Sequence, residues 1–340
     1  MTMRALTRAA IRSLPALALA GALGSMAHAS EGGASLFVPG LNVPAGGIVP
    51  PPGFYFDNTL LFYRGSLTGQ RSTSLGGNVV AGVRASIWGD FATGLWVTPA
   101  EIFGGRLAFG LSVPFGEPSV RAGALLSGPR TNNQPIGLSV RDATVNFGDP
   151  VATATLGWNA GNWHWKLAAA VSIPAGAYQP GELSNLALNR WIGDFSAGLT
   201  YLEPTLGLDI STVVGLTVNG KNPDTDYRTG QEFHIDVGIS KNLTKELSVG
   251  LIGSHYQQIT GDSGPGATLG PYKGRTTAIG GTIGYTFMVG ATPIATRVKV
   301  LREVDVKNRP QGTIGWVQLS FPLWMPTHPA HVAKPAVVKE

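Results

Sequence analysis

Residues 206–218, LGLDISTVVGLTV, alternate between apolar side chains and small or polar ones. The even positions are leucine, isoleucine, threonine or valine, whereas the odd positions are glycine, aspartate, serine and threonine, with Val213 as the exception. Because successive side chains of a β-strand point to opposite faces, this period predicts a strand with one apolar and one polar face. Such strands are typical of a barrel wall that separates lipid from a polar lumen.

The same period recurs along the chain, for example where apolar residues alternate with polar ones in 232–240 and 194–201. It predicts an all-β fold, a transmembrane outer-membrane antiparallel β-barrel of twelve strands, an even number as bacterial barrels prefer. The predicted strands span residues 54–63, 78–97, 104–114, 151–158, 163–174, 193–203, 206–218, 231–240, 247–258, 275–288, 293–304 and 312–321.

Short and long connections alternate between these strands, as expected for periplasmic turns and external loops. The short ones are 98–103, 159–162, 204–205, 241–246 and 289–292, and the long ones are 64–77, 115–150, 175–192, 219–230 and 259–274. Residues 115–150 are long for a loop, and SVRDATVNF at 139–147 has the composition of a further strand. A fourteen-stranded barrel is therefore the alternative.

Composition excludes several other classes of protein. The 340 residues include 47 glycines and no cysteine, 13% are charged, and the mean hydropathy is +0.12, which excludes a disordered chain and a disulfide scaffold. After residue 30 no apolar run is long enough for a helical membrane span. A soluble β-sandwich would show the same alternation, but its solvated face would carry dense Lys/Glu runs that are scarce here.

The first 29 residues have the form of a secretory signal peptide. Arg4, Arg8 and Arg12 precede an apolar run, and Ala27 to Ala29 fit cleavage before Ser30. Removing three arginines and no acids lowers the formal net charge from +5 to +2, so the basic balance does not indicate a nucleic-acid partner.

Both ends of the mature chain lack the strand period. Residues 30–52 are rich in glycine and proline and are predicted to be extended, either as a periplasmic leader or as a plug inside the lumen. The barrel is assigned to residues 53–324. Residues 325–340 contain proline, histidine and lysine and are expected to form a disordered tail.

Extending the alternation predicts a set of inward-facing side chains of both charge signs. This set consists of Tyr55, Asp57, Tyr63, Arg84, Arg106, His164, Lys166, Asp194, Asp209, Glu232, His234, Asp236, Arg297, Lys299 and Glu303. Its five basic and six acidic members argue against a strongly ion-selective pore, which would carry a ring of one sign. They either line a conducting path or pair across a narrow lumen and hold it shut.

Tryptophans cluster in TLGWNAGNWHWKLAAAVSI, residues 155–173. A turn at 159–162 would pair Trp158 with Trp163 and Leu156 with Trp165, all on the outward face. Indole rings favour the membrane interface, so an aromatic girdle is predicted. Its members are Trp158, Trp163, Trp165, Trp316 and Trp324.

Five stretches together carry a resemblance to a known family: EGGASLFVPG, AGGIVPPPGFYFDNTLLFY, SIPAGAY, NPDTDYRTGQEFHID and TGDSGPGATLGPYKGR. In this order and spacing they resemble the outer-membrane family described as components of the meta-pathway of phenol degradation. The most specific parts are the TDYRTG and GDSG loops. The resemblance implies an outer-membrane barrel, discussed in the family as a channel for aromatic or other hydrophobic compounds, without established catalytic residues. One departure is that Phe321 and Trp324 are followed by a tail, whereas many such barrels end on an aromatic residue.

Motifs for catalysis or cofactor binding are weak in this sequence. GDSGPG at 261–266 resembles a serine-protease nucleophile segment, but its residues also suit a turn in a predicted external loop. Asp224, Asp226 and Glu232 lack calcium-loop spacing, and the histidines lack metal-ligand spacing. No phosphate-binding loop is present either, so the sequence predicts no metal, no cofactor and no catalytic residues.

The sequence therefore favours an outer-membrane channel or uptake protein for small hydrophobic compounds, aromatic or phenolic ones among them. The expected partners are outer-membrane lipid, the solute and the outer-membrane assembly machinery, and the sequence does not indicate the oligomeric state. Two alternatives remain open at this point. One is a phospholipase-like barrel enzyme using the lipid-facing His255, and the other is a structural barrel without transport.

Overall fold

The computed structural model describes residues 31–72, 78–127, 136–268 and 270–326. The predictions for the signal peptide at 1–29 and for nearly all of the tail at 325–340 lie outside the described residues. A short 3-10 helix, Glu31–Gly33, precedes the strands. The strands are β1 (Gly53–Ser72), β2 (Asn78–Ile102), β3 (Gly105–Ser127), β4 (Ile136–Ala143), β5 (Asn146–Phe147), β6 (Val151–Ala160), β7 (Trp163–Ser172), β8 (Ile192–Glu203), β9 (Leu208–Asn219), β10 (Glu232–Asn242), β11 (Leu247–Gln258), β12 (Arg275–Val289), β13 (Thr292–Lys307) and β14 (Gln311–Trp324).

Twelve of these strands close into an antiparallel barrel. Strand β1 pairs with both β2 and β14, β3 pairs with β2 and β6, and β6 to β14 pair in sequence order. Strands β4 and β5 attach to β3 and do not take part in the closure. The twelve-stranded prediction is therefore confirmed, and residues 139–147 contribute strand without enlarging the ring.

Strand β3 differs from the prediction of a loop at 115–150, because it continues to Ser127. Its pairing with β6 ends at Ser112, and its pairing with β4 begins at Ser119. Pro114 and Pro118 lie between these two ladders, and proline has no N–H to donate to a ladder. These prolines, read as loop residues in the sequence, occupy the part of β3 that pairs least. Strand β1 likewise extends to Ser72, into residues predicted as a loop.

The hairpin between β6 and β7 corrects the predicted register. A two-residue turn at 161–162, with Gly161 at φ 56°, pairs Trp158 with Trp165 and Leu156 with Leu167. The predicted pairs were offset by two residues along the partner strand. A shift of two keeps every side chain on its face, so the outward position predicted for these tryptophans is unaffected.

The two ends of the barrel differ in the length of their connections. The short turns 103–104, 161–162, 204–207, 243–246 and 290–291 lie at one end, named here the short-turn end. The connections 173–191, 220–231 and 259–274 lie at the other, the long-loop end, which also contains the short link 308–310. Within the described ranges no helix is long and apolar enough to cross a membrane.

Candidate functional site

Residues 31–52, named here the N-terminal segment, are held by inward-facing side chains of the barrel. The backbone amides of Gly40 and Asn42 donate to the Asp236 carboxylate at 3.0 and 3.2 Å. Lys299 Nζ donates to the carbonyl oxygens of Gly40 and Leu41, both at 2.9 Å. An acid on β10 and a base on β13 thus bind the same stretch of backbone, and this satisfies polar groups that are buried from water.

The contacts continue toward the short-turn end. Ala45 N donates to Ser211 Oγ at 3.0 Å, and Gly47 N donates to Thr200 Oγ1 at 2.8 Å. Near the end of the segment, Arg106 donates to the Val49 carbonyl at 3.3 Å. Because β8, β9 and β3 each contribute one of these side chains, the segment is held by different parts of the wall rather than by one strand.

The beginning of the segment is bound at the long-loop end. Glu31 accepts hydrogen bonds from Asn222 and Thr225, and forms an ion pair with Arg190 at 3.3 Å. Arg190 is 1% exposed and also donates to Asn219 Oδ1 at 3.1 Å. A buried guanidinium requires such partners, so Glu31 couples the segment to two long connections. Sequence reasoning missed Arg190 and Glu31, because neither lies in a strand period or a motif.

Apolar packing accompanies these polar contacts. Val43 is fully buried and belongs to a cluster with Val213, Ile252, Leu301 and Trp316. Phe37 stacks on His234 with ring centroids 4.3 Å apart. Burial of this kind stabilises the packed arrangement in proportion to the apolar area removed from water.

A cavity of about 230 Å³ lies between the N-terminal segment, the wall and the connection 173–191. Most of its lining is apolar, and Glu303, Arg309 and Asp149 are the charged groups. The apolar side chains are Leu36, Phe37, Val38, Leu61, Ile87, Phe91, Pro114, Pro118, Val151, Leu186, Leu188 and Ile314. Tyr63 joins the lining, and its hydroxyl donates to Glu303 at 3.2 Å. The arrangement suits a small apolar molecule with one polar group.

Most of the predicted inward-facing residues lie on the same side of the wall as the N-terminal segment. Asp209, Glu232 and Asp236 accept hydrogen bonds from it, and Tyr55 donates to Pro51 within it at 2.8 Å. The remaining inward members are Asp57, Tyr63, Arg106, His164, Lys166, Asp194, His234, Arg297, Lys299 and Glu303. Their role in lining a path for solute stays a prediction.

Arg84 does not share this placement. It is exposed and lies on the same phase of β2 as Trp88 and Trp96, opposite the phase of Ile87 and Phe91, which line the cavity. Its predicted position in the lumen is therefore corrected to the outward face. The error follows from expecting charged residues inside and apolar ones outside along the whole of β2.

Trp316 is corrected in the opposite sense. It was predicted to lie in the interfacial girdle, but it is fully buried, and its Nε1 donates to the Pro39 carbonyl at 3.1 Å. Trp163, Trp165 and Trp324 are 49%, 38% and 55% exposed on the outward phase. Trp158 stacks on Trp165 at 6.4 Å between centroids. Their assignment to a membrane interface remains a prediction.

The TDYRTG and GDSG loops are joined through one carboxylate. Asp262 accepts hydrogen bonds from Tyr227 Oη at 2.6 Å and from Gly230 N at 3.1 Å, and Gln258 also donates to it. Burial and the hydrogen bond to Asp262 raise the pKa of Tyr227 above its usual value, so its hydroxyl remains a donor at physiological pH. The aspartate of GDSG therefore organises loops, and Ser263 pairs through its backbone with Arg228.

Replacing this carboxylate gives a direct test of the loop arrangement. We expect Asp262→Ala to speed tryptic cleavage after the exposed Arg228 by about tenfold or more, because several charge-assisted hydrogen bonds are lost together. Asp226→Ala is the matched control, since Asp226 lies in the same loop but pairs with the exposed Lys221. Equal cleavage rates for the two variants would show that Asp262 does not hold the loops.

Chemical groups for catalysis or metal binding do not gather elsewhere in the described part of the chain. His255 Nδ1 lies 2.8 Å from Thr277 Oγ1, so its neighbour is a threonine on the next strand. Among residues 31–72, 78–127, 136–268 and 270–326, no group of three or more His, Cys, Asp or Glu could hold a metal ion.

A closed antiparallel ring of twelve strands, with apolar residues on its outward phase, defines this molecule as a β-barrel of the bacterial outer-membrane type. The chain belongs to the family described as "Putative MetA-pathway of phenol degradation", whose model matches residues 68–319. This match confirms the resemblance seen in the sequence.

Solved structures support the same fold. The COG4313 outer membrane channel from Pseudomonas putida F1 is 15% identical, with a TM-score of 0.62 over 82% of this chain and 98% of that chain. The CymD monoaromatic hydrocarbon channel is 8% identical, with a TM-score of 0.35 over 82% of this chain and 90% of that chain. The comparison with curated proteins gave no match.

Proposed function

We propose that this protein is an outer-membrane channel for small hydrophobic solutes, and that aromatic and phenolic compounds are among them. The cavity carries this proposal. An apolar cavity of about 150 Å³ in another protein binds benzene, so a space of about 230 Å³ accommodates a substituted single ring. The family's description and the fold shared with the COG4313 channel support the same function.

The N-terminal segment serves in this proposal as a movable plug. The cavity lies toward the long-loop end, where it is lined by Arg309 and Pro310, whereas Val43 and its apolar cluster lie beyond it. A solute entering from the long-loop end reaches the cavity and then meets the segment. Passage to the short-turn end therefore requires the segment to shift, and its hydrogen bonds to Asp236 and Lys299 must be broken and reformed.

Filling the cavity tests the role of this site. Leu186 lines the cavity from the connection 173–191, outside the barrel strands, so Leu186→Trp adds bulk without altering the wall. We expect uptake of radiolabelled toluene and phenol by intact cells without other channels to fall at least about fivefold, because an indole occupies most of the space.

Leu183→Trp provides the matched control, since Leu183 belongs to the same connection and is 47% exposed. Heat-shifted mobility on gels verifies that both variants fold. Equal uptake by the two variants would place the solute route elsewhere. Failure of the wild-type protein to raise uptake above that of cells without it would reject the channel function and favour a structural barrel.

A further inference from the structure

Five arginines gather on the outward face of the barrel at the long-loop end. Named here the arginine patch, they are Arg64, Arg84, Arg121, Arg141 and Arg302, and they line one shallow groove with serines and Gln311 between them. All five are exposed. Arg121 lies directly opposite Arg84 on one neighbouring strand and Arg141 on the other. Strands β1, β2, β3, β4 and β13 thus each contribute one arginine.

The outward orientation follows from strand register. Arg64 shares its phase on β1 with Phe62, which is 49% exposed, whereas Leu61 on the other phase is 6% exposed. Arg302 likewise shares its phase on β13 with the exposed Val300. The patch therefore faces away from the N-terminal segment and the cavity, and the proposed transport function does not use it.

An aromatic row lies directly beneath the patch. Trp88 pairs with Phe62 and its ring lies 5.8 Å from that of Phe115, which in turn lies 5.0 Å from Phe147. Arg84 follows the aromatic row by four residues along β2, or about 13 Å of strand. Aromatic residues mark the boundary of the hydrocarbon layer, so the arginines lie at the level of lipid headgroups.

A second aromatic row fixes the scale. Trp96 stacks on Phe54 at 5.8 Å between centroids, and Trp324 lies 6.0 Å from Phe54, near the short-turn end. Eight residues separate Trp88 from Trp96, which is about 26 Å of strand and about 20 Å of depth at a tilt of about 40°. This depth is comparable to the apolar band of outer-membrane barrels, so the two rows bracket it.

The charges of the patch are not compensated by protein carboxylates in the described residues. None of its five arginines forms an ion pair there, and Arg302 donates to Thr313 Oγ1 at 3.2 Å. Asp305, also on β13, is paired with Arg275 at 3.0 Å. Glu117 lies opposite Trp88 in the aromatic row, below the patch. Like charges placed directly opposite each other repel, so this arrangement is stable only with an external anion.

We propose that the arginine patch binds the phosphate groups of the phosphorylated glycolipid of the outer leaflet, lipopolysaccharide. Guanidinium groups bind phosphate oxygens through paired hydrogen bonds, and basic clusters beside a membrane bind phosphorylated headgroups. The aromatic row places acyl chains below and phosphates level with the arginines. Binding on this side requires the long-loop end to face the cell exterior, as the loop lengths predict.

The test measures binding of lipid A to the purified barrel in detergent by native mass spectrometry. The variant Arg84→Gln/Arg121→Gln/Arg141→Gln removes three neighbouring charges and keeps polar side chains on the strand faces. We expect its affinity for lipid A bearing two phosphates to fall at least about tenfold, because several charge-assisted contacts are lost. Wild-type binding of enzymatically dephosphorylated lipid A should be weaker by a similar factor.

The control variant is Lys221→Gln/Lys241→Gln/Lys245→Gln, which removes three charges from exposed positions outside the patch. It should bind lipid A like the wild type, and heat-shifted mobility on gels reports the folding of both variants. Equal affinity of the arginine variant and the wild type would overturn the proposal. Equal binding of dephosphorylated lipid A, or competition by phosphatidylglycerol vesicles or inorganic phosphate at the same concentration, would overturn it as well.

Discussion

A disulfide between positions 43 and 238 is expected to stop solute uptake, and its reduction is expected to restore it. A Cβ atom built on Gly238 lies 3.1 Å from Val43 Cβ, so Val43→Cys and Gly238→Cys need a shift of a few tenths of an ångström to form the bond. The natural chain has no cysteine, and no other thiol competes. If the N-terminal segment must leave the lumen for transport, the oxidised variant should retain less than about a tenth of wild-type uptake.

A second cross-link separates movement of the segment from damage by the bond itself. A Cβ atom built on Gly157 lies 3.0 Å from Val49 Cβ, so Val49→Cys and Gly157→Cys tether the segment close to the start of β1. Residue 49 is already restrained there by the chain, and this tether should leave at least about half of the uptake. Uptake at the wild-type rate by the oxidised 43/238 variant would show that solutes pass without displacement of the segment.

Periodicity predicted the barrel because the lipid-facing side of most strands is uniformly apolar. In β9, Val214, Leu216 and Val218 are exposed, while Val213 and Thr217 on the other phase are buried. That difference in chemistry is a local property of each strand, and it can be read without knowing the partner strands. The same information does not fix register, which is why the tryptophan pairs were offset by two residues.

The errors of phase have a different cause, which is the N-terminal segment. Where it packs against the wall, the inward phase is apolar too, as Leu61, Ile87 and Trp316 show. Polarity then no longer distinguishes lumen from lipid, so Arg84 and Trp316 were assigned to the wrong faces. Contacts between Glu31 and Arg190 join residues far apart in the chain, and no local pattern indicates them.

The buried carboxylate of Asp236 should control how firmly the N-terminal segment is held. Asp236→Ala removes the acceptor of the amides of Gly40 and Asn42 and leaves both donors without it. Hydrogen bonds to a charged group contribute about 1.5–3 kcal/mol each, so we expect these amides to exchange about 10- to 100-fold faster. Hydrogen exchange followed by mass spectrometry on peptides covering residues 36–46 measures this change in the purified barrel.

Asp305→Ala is the control, because Asp305 belongs to a half-exposed ion pair with Arg275 on the outward face. Exposed pairs contribute little, so this variant should leave exchange at residues 36–46 unchanged. The effect of Asp236→Ala should also be local. If exchange rises equally in β9 and β13, the carboxylate supports the barrel as a whole. If exchange does not rise in residues 36–46, Asp236 does not anchor the segment, and Lys299, which binds the Gly40 and Leu41 carbonyls, becomes the residue to replace.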